Sequence, residues 1–204
     1  MIVSFRDEWL RAFFVEDMRS RQIPSDLESR LFRKLQMIDD AATDQDLRVP
    51  PSNHFEKLRG NLAGFHSIRV NSQWRLVFRW DGGRGEAKGR LSRRSQLQMR
   101  RTMLMTKRKP ATVGEVLVEE FMRPMGLTQA ALAEAMGVQR KHVNELCNNR
   151  RNVTAATALI LARVFGNSPD FWLNVQRRSD LWEAMNSPRE RERIERAKPI
   201  GAAA

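Results

Sequence analysis

The sequence predicts two domains of different class, an α+β unit over residues 1–90 and an all-α unit over residues 110–204. Three observations carry that reading. Apolar residues recur at helical spacing up to about residue 40 and then alternate between Phe65 and Trp80. Beyond residue 110 only helical spacing remains. Between the two lies LSRRSQLQMRRTMLMTKRK, residues 91–109, with seven Lys or Arg and no acid, which is read as a basic linker.

In the first unit Trp9, Leu10, Phe13 and Phe14 fit one helix face. A second helix is expected from Ser25, where Pro24-Ser25-Asp26 supplies start signals, with Leu27, Leu31, Leu35 and Ile38 as its stripe. Pro50-Pro51 breaks the chain. Phe65–Val70 and Trp74–Trp80 then alternate as strands, joined through Asn71-Ser72, and Asp81-Gly82-Gly83 offers a second hairpin turn. Alternation sends Arg69, Arg75 and Arg79 away from the aliphatic face. The result is two helices on a small antiparallel sheet.

In the second unit Thr112-Val113-Gly114-Glu115 reads as a capping box, and Val113, Leu117 and Phe121 follow at four-residue steps until Pro124, expected to end that helix. Thr154 and Gly166 bracket a further helix. Ser168-Pro169-Asp170 starts another, carrying Phe171, Trp172, Val175 and Leu181-Trp182; Trp172 is assigned to the core rather than to a partner surface. The charged ending PRERERIERAKPIGAAA is expected to be a fraying helix.

Composition narrows the function. Lys and Arg outnumber Asp and Glu by 36 to 24, a net +12, more than half of it in residues 91–109, which points to a polyanionic partner. The single Cys147 allows no internal disulfide, and His54, His66 and His142 are too few for a dense metal cluster, so no metal or cofactor is expected. No apolar run approaches the ~20 residues that cross a bilayer. The start MIVSFRDEWL carries charge by Arg6 and does not read as a secretory signal. A cytoplasmic protein is expected.

The sharpest local pattern is LTQAALAEAMGVQRKHVNEL, residues 127–146. Thr128 caps a short helix with Leu132 and Met136 inward, Ala133 leaves room for a crossing helix, and Gly137 supplies a positive-φ turn. Val138 plugs the core, and Val143 and Leu146 anchor a second helix, which is the spacing of a helix-turn-helix. The second helix presents Gln139, Arg140, Lys141, Asn144 and Asn148, of types that read base edges in the major groove. Gln129, Arg150 and Arg151 are placed to hold phosphates. His142 is assigned a structural or solvent-facing place.

This half is similar to the XRE-type helix-turn-helix regulators, and more closely to the HigA antitoxins, over about residues 105–190. MTKRKPATVGEVLVEEFMRPMGLTQAALAEAMGV looks like the start of a free-standing HigA, with Met105 or Met103 in place of an initiator. The resemblance implies about five helices, a homodimer that reads a palindromic operator DNA, repression of its own operon and a toxin chain as partner.

Residues 1–90 resemble the HigB branch of RelE-like toxins through the two-helix opening and LRGNLAGFHSIRVNSQWRLVFRW, residues 58–80. The resemblance implies a microbial-ribonuclease-like sheet that enters the ribosomal decoding site and cuts mRNA. Such cleavage needs cations at the phosphate and a proton shuttle. On the matching positions Arg59, Arg69 and Arg75 are candidates for phosphate contact, with His54 and Lys57 nearby. The same residues are also what a solvated strand face carries. Family members continue into a last strand with acidic, tyrosine or histidine residues. This chain instead runs Gly85-Glu86-Ala87-Lys88-Gly89-Arg90-Leu91-Ser92, has no tyrosine anywhere and has no histidine between His66 and His142. A toxin joined to its antidote with loss of the final strand is the expectation, giving a DNA-binding autorepressor attached to an impaired interferase. The alternatives are an active endoribonuclease inhibited in cis, and an XRE-type stress regulator whose first domain binds another partner.

Overall fold

The computed structural model describes residues 2, 4–80 and 105–197 in full, and between 81 and 104 the backbone of residues 90–92 and 97–98. The first half opens with β1 (Ser4–Phe5) and α1 (Glu8–Glu16), which buries Leu10, Phe13 and Phe14. A 3-10 turn at Ser25–Leu27 leads into α2 (Glu28–Asp40), so the proline–serine start signal is used as a tight first turn. Leu27, Leu31, Leu35 and Ile38 are buried as the stripe requires, and the Phe14 and Phe32 rings meet at 5.3 Å. After α3 (Gln45–Arg48), Pro51 begins a second 3-10 turn through Asn53.

β2 (Glu56–Lys57), β3 (Phe65–Arg69) and β4 (Arg75–Arg79) form an antiparallel sheet in which Arg69 lies opposite Arg75 and Ile68 opposite Leu76. The Asn71 carboxamide closes the β3–β4 turn by accepting from the Gln73 and Trp74 amides at 2.9 and 2.8 Å. The hairpin expected at Asp81-Gly82-Gly83 lies outside the described residues.

The segment read as a basic linker, and with it the expected loss of a strand after β4, is corrected at several points. β5 (Arg90–Ser92) pairs antiparallel with β4, and β6 (Leu97–Gln98) pairs with β1, giving strand orders β2-β3-β4-β5 and β1-β6. A ladder is made by backbone groups, so these residues pair despite lacking the side-chain alternation of a strand. The end of the segment is docked as well. The Lys107 amide donates to the Val15 carbonyl at 2.9 Å, and its ammonium meets Glu16 at 2.9 Å. Arg108 pairs with Asp17 and lies over the Phe13 ring at 4.8 Å. These cations find the acidic end of α1, which spacing within the linker alone could not reveal.

The second half starts with α4 (Val113–Val116), whose capping box is formed in both directions at 3.2 and 2.7 Å. Pro124 does not stop this helix as expected. A π-helical segment, Leu117–Met122, intervenes, and the chain continues through α5 (Arg123–Met125) to Gly126. A proline ring crowds the carbonyl four residues before it, here Glu120, and the widened turn relieves that conflict. Then come α6 (Gln129–Met136), α7 (Arg140–Cys147), α8 (Ala155–Phe165), α9 (Pro169–Asn186) and the exposed α10 (Pro188–Glu195). Trp172 is fully buried, 5.0 Å from the Phe121 ring, and its indole N–H donates to Asn167 at 2.9 Å.

The two halves meet along α2. Glu120, on the π-helical segment, accepts from Lys34 Nζ, Arg33 Nε and Ser52 Oγ, each at 2.5 Å. Lys34 also donates to Asn53 at 2.7 Å. Arg178 of α9 reaches Asp40 at 2.8 Å and also pairs with Asp39. Asp46 accepts from the amide and hydroxyl of Ser168 at 2.6 and 2.9 Å, so the first half caps α9 of the second. Gln36 exchanges two hydrogen bonds with the Ala111 backbone at 2.9 and 2.7 Å. Lys34, Asp39, Asp40, Asp46, Glu120 and Arg178 are all buried.

Burial pushes the Glu120 carboxyl up, but Lys34 and Arg33 outweigh it and hold the group below its ordinary 4.5. Burial pulls the Lys34 ammonium down, with Glu120 opposing. We take the carboxylate as charged, because three donors converge on it. Burial raises the Asp40 carboxyl against the pull of Arg178. Arg178→Ala leaves two buried carboxylates without their cation and is expected to cost about 3–5 kcal/mol of stability, read from the denaturant midpoint. For Glu120 the stabilisation is present above its ordinary pKa of 4.5 and lost as pH falls through the depressed value. Glu120→Gln should therefore flatten the acid limb of a stability–pH curve while lowering stability at neutral pH.

Candidate nucleic-acid interfaces

α6 and α7 form the two-helix corner that the spacing predicts. Thr128 accepts from the Ala131 amide at 3.1 Å, and Leu132, Ala133, Met136, Val143 and Leu146 are buried. Gly137 ends α6 at φ 66, a conformation that disfavours a Cβ, and Val138 packs partly buried against the core. On the outer side Thr128, Gln139, Arg140, Lys141, Asn144, Asn148 and Arg150 are exposed, and Gln129 is half-buried. The predicted residues are thus brought to one solvent-facing corner.

Their detailed places differ from a simple helix face. Gln139 is the N-cap residue of α7, with extended backbone, rather than a member of its first turn. Asn148 ends the helix and donates to the Asn144 carbonyl at 2.8 Å. The Asn144 amide donates to Gln129 Oε1 at 3.1 Å, tying the centre of α7 to the first turn of α6. That bond fixes the carboxamide of Asn144 before any ligand arrives. Arg151 is held by Glu145 at 2.8 Å, with Lys141 4.0 Å from the same carboxylate. The Arg140 and Arg150 side chains have no hydrogen bond or ion pair among the described residues and keep their charge available. His142 is half-buried and its Nε2 has no partner among the described residues, which fits the structural place expected for it.

The spacing analysis missed two residues that set the angle of α7. A Cβ on Gly114 would lie 2.5 Å from the Cys147 carbonyl and 2.7 Å from the Leu146 carbonyl. α4 therefore touches the end of α7 where only glycine fits. Asn149, at φ 55, accepts from the Gly114 amide at 3.0 Å and locks the same junction. A glycine inside a capping box, where a better helix former would ordinarily stand, was the available signal.

In the first half the sheet divides the RNA candidates. Register puts Arg69 and Arg75 on one face with Glu56, whereas Lys57 lies opposite His66 on the other. Arg75 donates to Ser67 at 2.9 Å and to the His54 carbonyl at 2.6 Å, and pairs with Glu56 at 3.2 Å. Burial lowers its pKa, Glu56 raises it and Arg69 lowers it. His54 contributes its carbonyl, from a left-handed backbone at φ 40, rather than its imidazole. Arg59, before the 3-10 turn at Gly60–Leu62, is exposed. The structure thus joins Arg69, Arg75 and His54, and separates Lys57. Among the described residues no group of His, Cys, Asp or Glu could hold a metal, and no helix is long and apolar enough to cross a membrane.

The profile of HigB-like toxins, RelE-like toxins of type II toxin–antitoxin systems, matches residues 3–88, and a helix-turn-helix profile matches residues 118–172. Toxin HigB-1 of Vibrio cholerae is 53% identical over 83 residues, 41% of this chain and 87% of that protein. Antitoxin HigA-1 of the same organism is 49% identical over 98 residues, 48% of this chain and 90% of that protein. A solved structure, the Pseudomonas aeruginosa antitoxin HigA with the higBA promoter, is 32% identical, covers 45% of this chain and 98% of that one, and superposes with a TM-score of 0.41.

Gly114→Ala forces α4 away from backbone that cannot yield, and is expected to lower stability by about 1–3 kcal/mol, measured by thermal or denaturant unfolding. Chemical shifts of α7 should move most. Thr128→Ala, which removes only a cap, is expected to cost about 1 kcal/mol without that displacement.

Proposed function

The chain belongs to the type II toxin–antitoxin proteins, its first half to the HigB-like toxins and its second to the HigA-like helix-turn-helix antitoxins, and we propose that its working activity is sequence-specific binding of operator DNA by the second half, repressing its own promoter. The observation that carries this reading is the α6–α7 corner, with its amide and guanidinium side chains exposed on one side and its apolar side chains buried on the other. Gln139, Arg140 and Asn144 read base edges. Thr128, Gln129, Lys141, Asn148 and Arg150 position the phosphates. A palindromic operator calls for two such corners, and Leu159 on α8 with Leu181 and Met185 on α9, all large and exposed, supports a homodimer.

The first half is a ribosome-dependent mRNA interferase domain with impaired chemistry in this reading. Support comes from the absence of tyrosine in the chain and of histidine between His66 and His142, where the family pattern ends in proton-transfer groups. A second reading, an endoribonuclease held in check in cis, draws on the half-exposed Arg69 and Arg75. Growth and message integrity on overproduction of the whole chain separate the two. Intact growth is expected, whereas ribosome-dependent message cleavage that disappears in Arg75→Ala supports the enzyme.

Gln139→Ala or Asn144→Ala should each weaken operator binding by about 1–3 kcal/mol and relax sequence preference. Arg150→Ala should weaken binding to all sequences and lower the salt slope by about 0.9. Leu159→Glu should turn the dimer into a monomer in sedimentation and lengthen the footprint's dependence on protein concentration without unfolding the chain.

A further inference from the structure

A DNA-binding antidote with a free toxin-holding surface would respond to toxin supplied from elsewhere. This chain has filled that surface itself. We infer that the second half is closed as an antidote: its docking face, formed by Glu120, Ser168 and Arg178, is occupied by the chain's own first half, and neither a free toxin nor a second copy exchanges onto it. The inference rests on the operator-binding reading only for its regulatory consequence, that promoter occupancy does not follow the supply of free toxin.

Two features of the contact support it. The first is its charge pattern. On α2 and α3, Lys34, Asp40 and Asp46 meet Glu120, Arg178 and the start of α9 through ion pairs and hydrogen bonds of 2.5–2.9 Å, and Asp39 also pairs with Arg178. All of these acidic and basic side chains are buried. Exchange requires them to separate before a competitor can offer the same partners, and separated buried charges are strongly disfavoured. The backbone bonds of Gln36 with Ala111, and of Lys107 with Val15, must break at the same time.

The second is covalent connection. The two halves belong to one chain, so the first half is present at the docking face at an effective concentration on the order of millimolar. A competitor at about one micromolar is outnumbered about a thousandfold. Matching a surface is therefore not enough to enter it.

Two measurements on the intact chain test this. In the first, a free HigB-like toxin from a two-chain system is added in excess. The expected result is no co-elution with the chain and an operator Kd unchanged within about twofold; co-elution, or a larger shift, overturns the inference. In the second, unlabelled and nitrogen-15-labelled chains are mixed and treated with a carbodiimide, which joins the Lys107 ammonium to the Glu16 carboxylate 2.9 Å away as an amide with loss of water. Cross-linked peptides drawn from one label only are expected, and pairs of mixed label overturn it. Loss of operator binding in the same samples would count against the proposed function and leave the label result standing.

Discussion

The architecture depends on Glu120. One buried carboxylate on the first helical segment of the second half gathers Lys34, Arg33 and Ser52 from the first, and Lys34 is in turn fixed by Asn53. No member of this group can be left alone in an apolar setting, because an unpaired buried charge is far less stable than the pair. The group therefore forms as a whole. Arg178 with Asp39 and Asp40 repeats the device one turn further along α2, with the sign of the charges reversed between halves. A slip of α2 along the second half that brought Asp39 or Asp40 to Glu120 would set carboxylate against carboxylate, so the two clusters together fix register as well as affinity.

Glu120 and Gly114 stand on one continuous stretch, α4 followed by the π-helical segment, and that stretch touches both α7 and the first half. At one end Gly114 abuts the carbonyls of Leu146 and Cys147, which sets where α7 lies. At the other, Glu120 receives the toxin half. Pro124 explains why the segment is π-helical and why it still reaches Gly126. The ring is accommodated in the widened turn, and the helix continues to Met125. The placement of α7 and the contact with the first half are consequently built on the same continuous piece of backbone.

Much of this was legible in the sequence. The helix stripe Leu27–Ile38, the strand pair around Asn71, the capping box at Thr112 and the helix-turn-helix corner all follow from local spacing, because each rests on contacts within about a dozen residues. What the spacing did not reveal is long-range. Residues 105–109 read as a charged linker until Asp17, Glu16 and the Phe13 ring are brought beside them. Lys34, Asp39 and Asp40 look like an ordinary polar helix face, and only the approach of Glu120 and Arg178 shows that they are interior. Lys57 and Arg75 sit near each other in pattern, yet the pleat puts them on opposite faces. Gln139 was placed within the helix that it caps.

The charged contacts that accompany the apolar ones at the junction say how the two halves relate. An obligate core divided between domains is expected to be largely apolar, whereas a contact between separately folded surfaces retains charges in complementary array. Here each half has its own aromatic cluster, Phe13, Phe14 and Phe32 in one and Phe121, Phe165 and Trp172 in the other. One buried apolar cluster runs through both halves, and ion pairs and a borrowed helix cap, Asp46 on Ser168, cross the junction beside it. A surface of that kind is suited to recognise a partner in solution and only afterwards to become internal to one chain. The junction thus keeps the selectivity of an interface between two proteins while the covalent tie makes the choice of partner permanent.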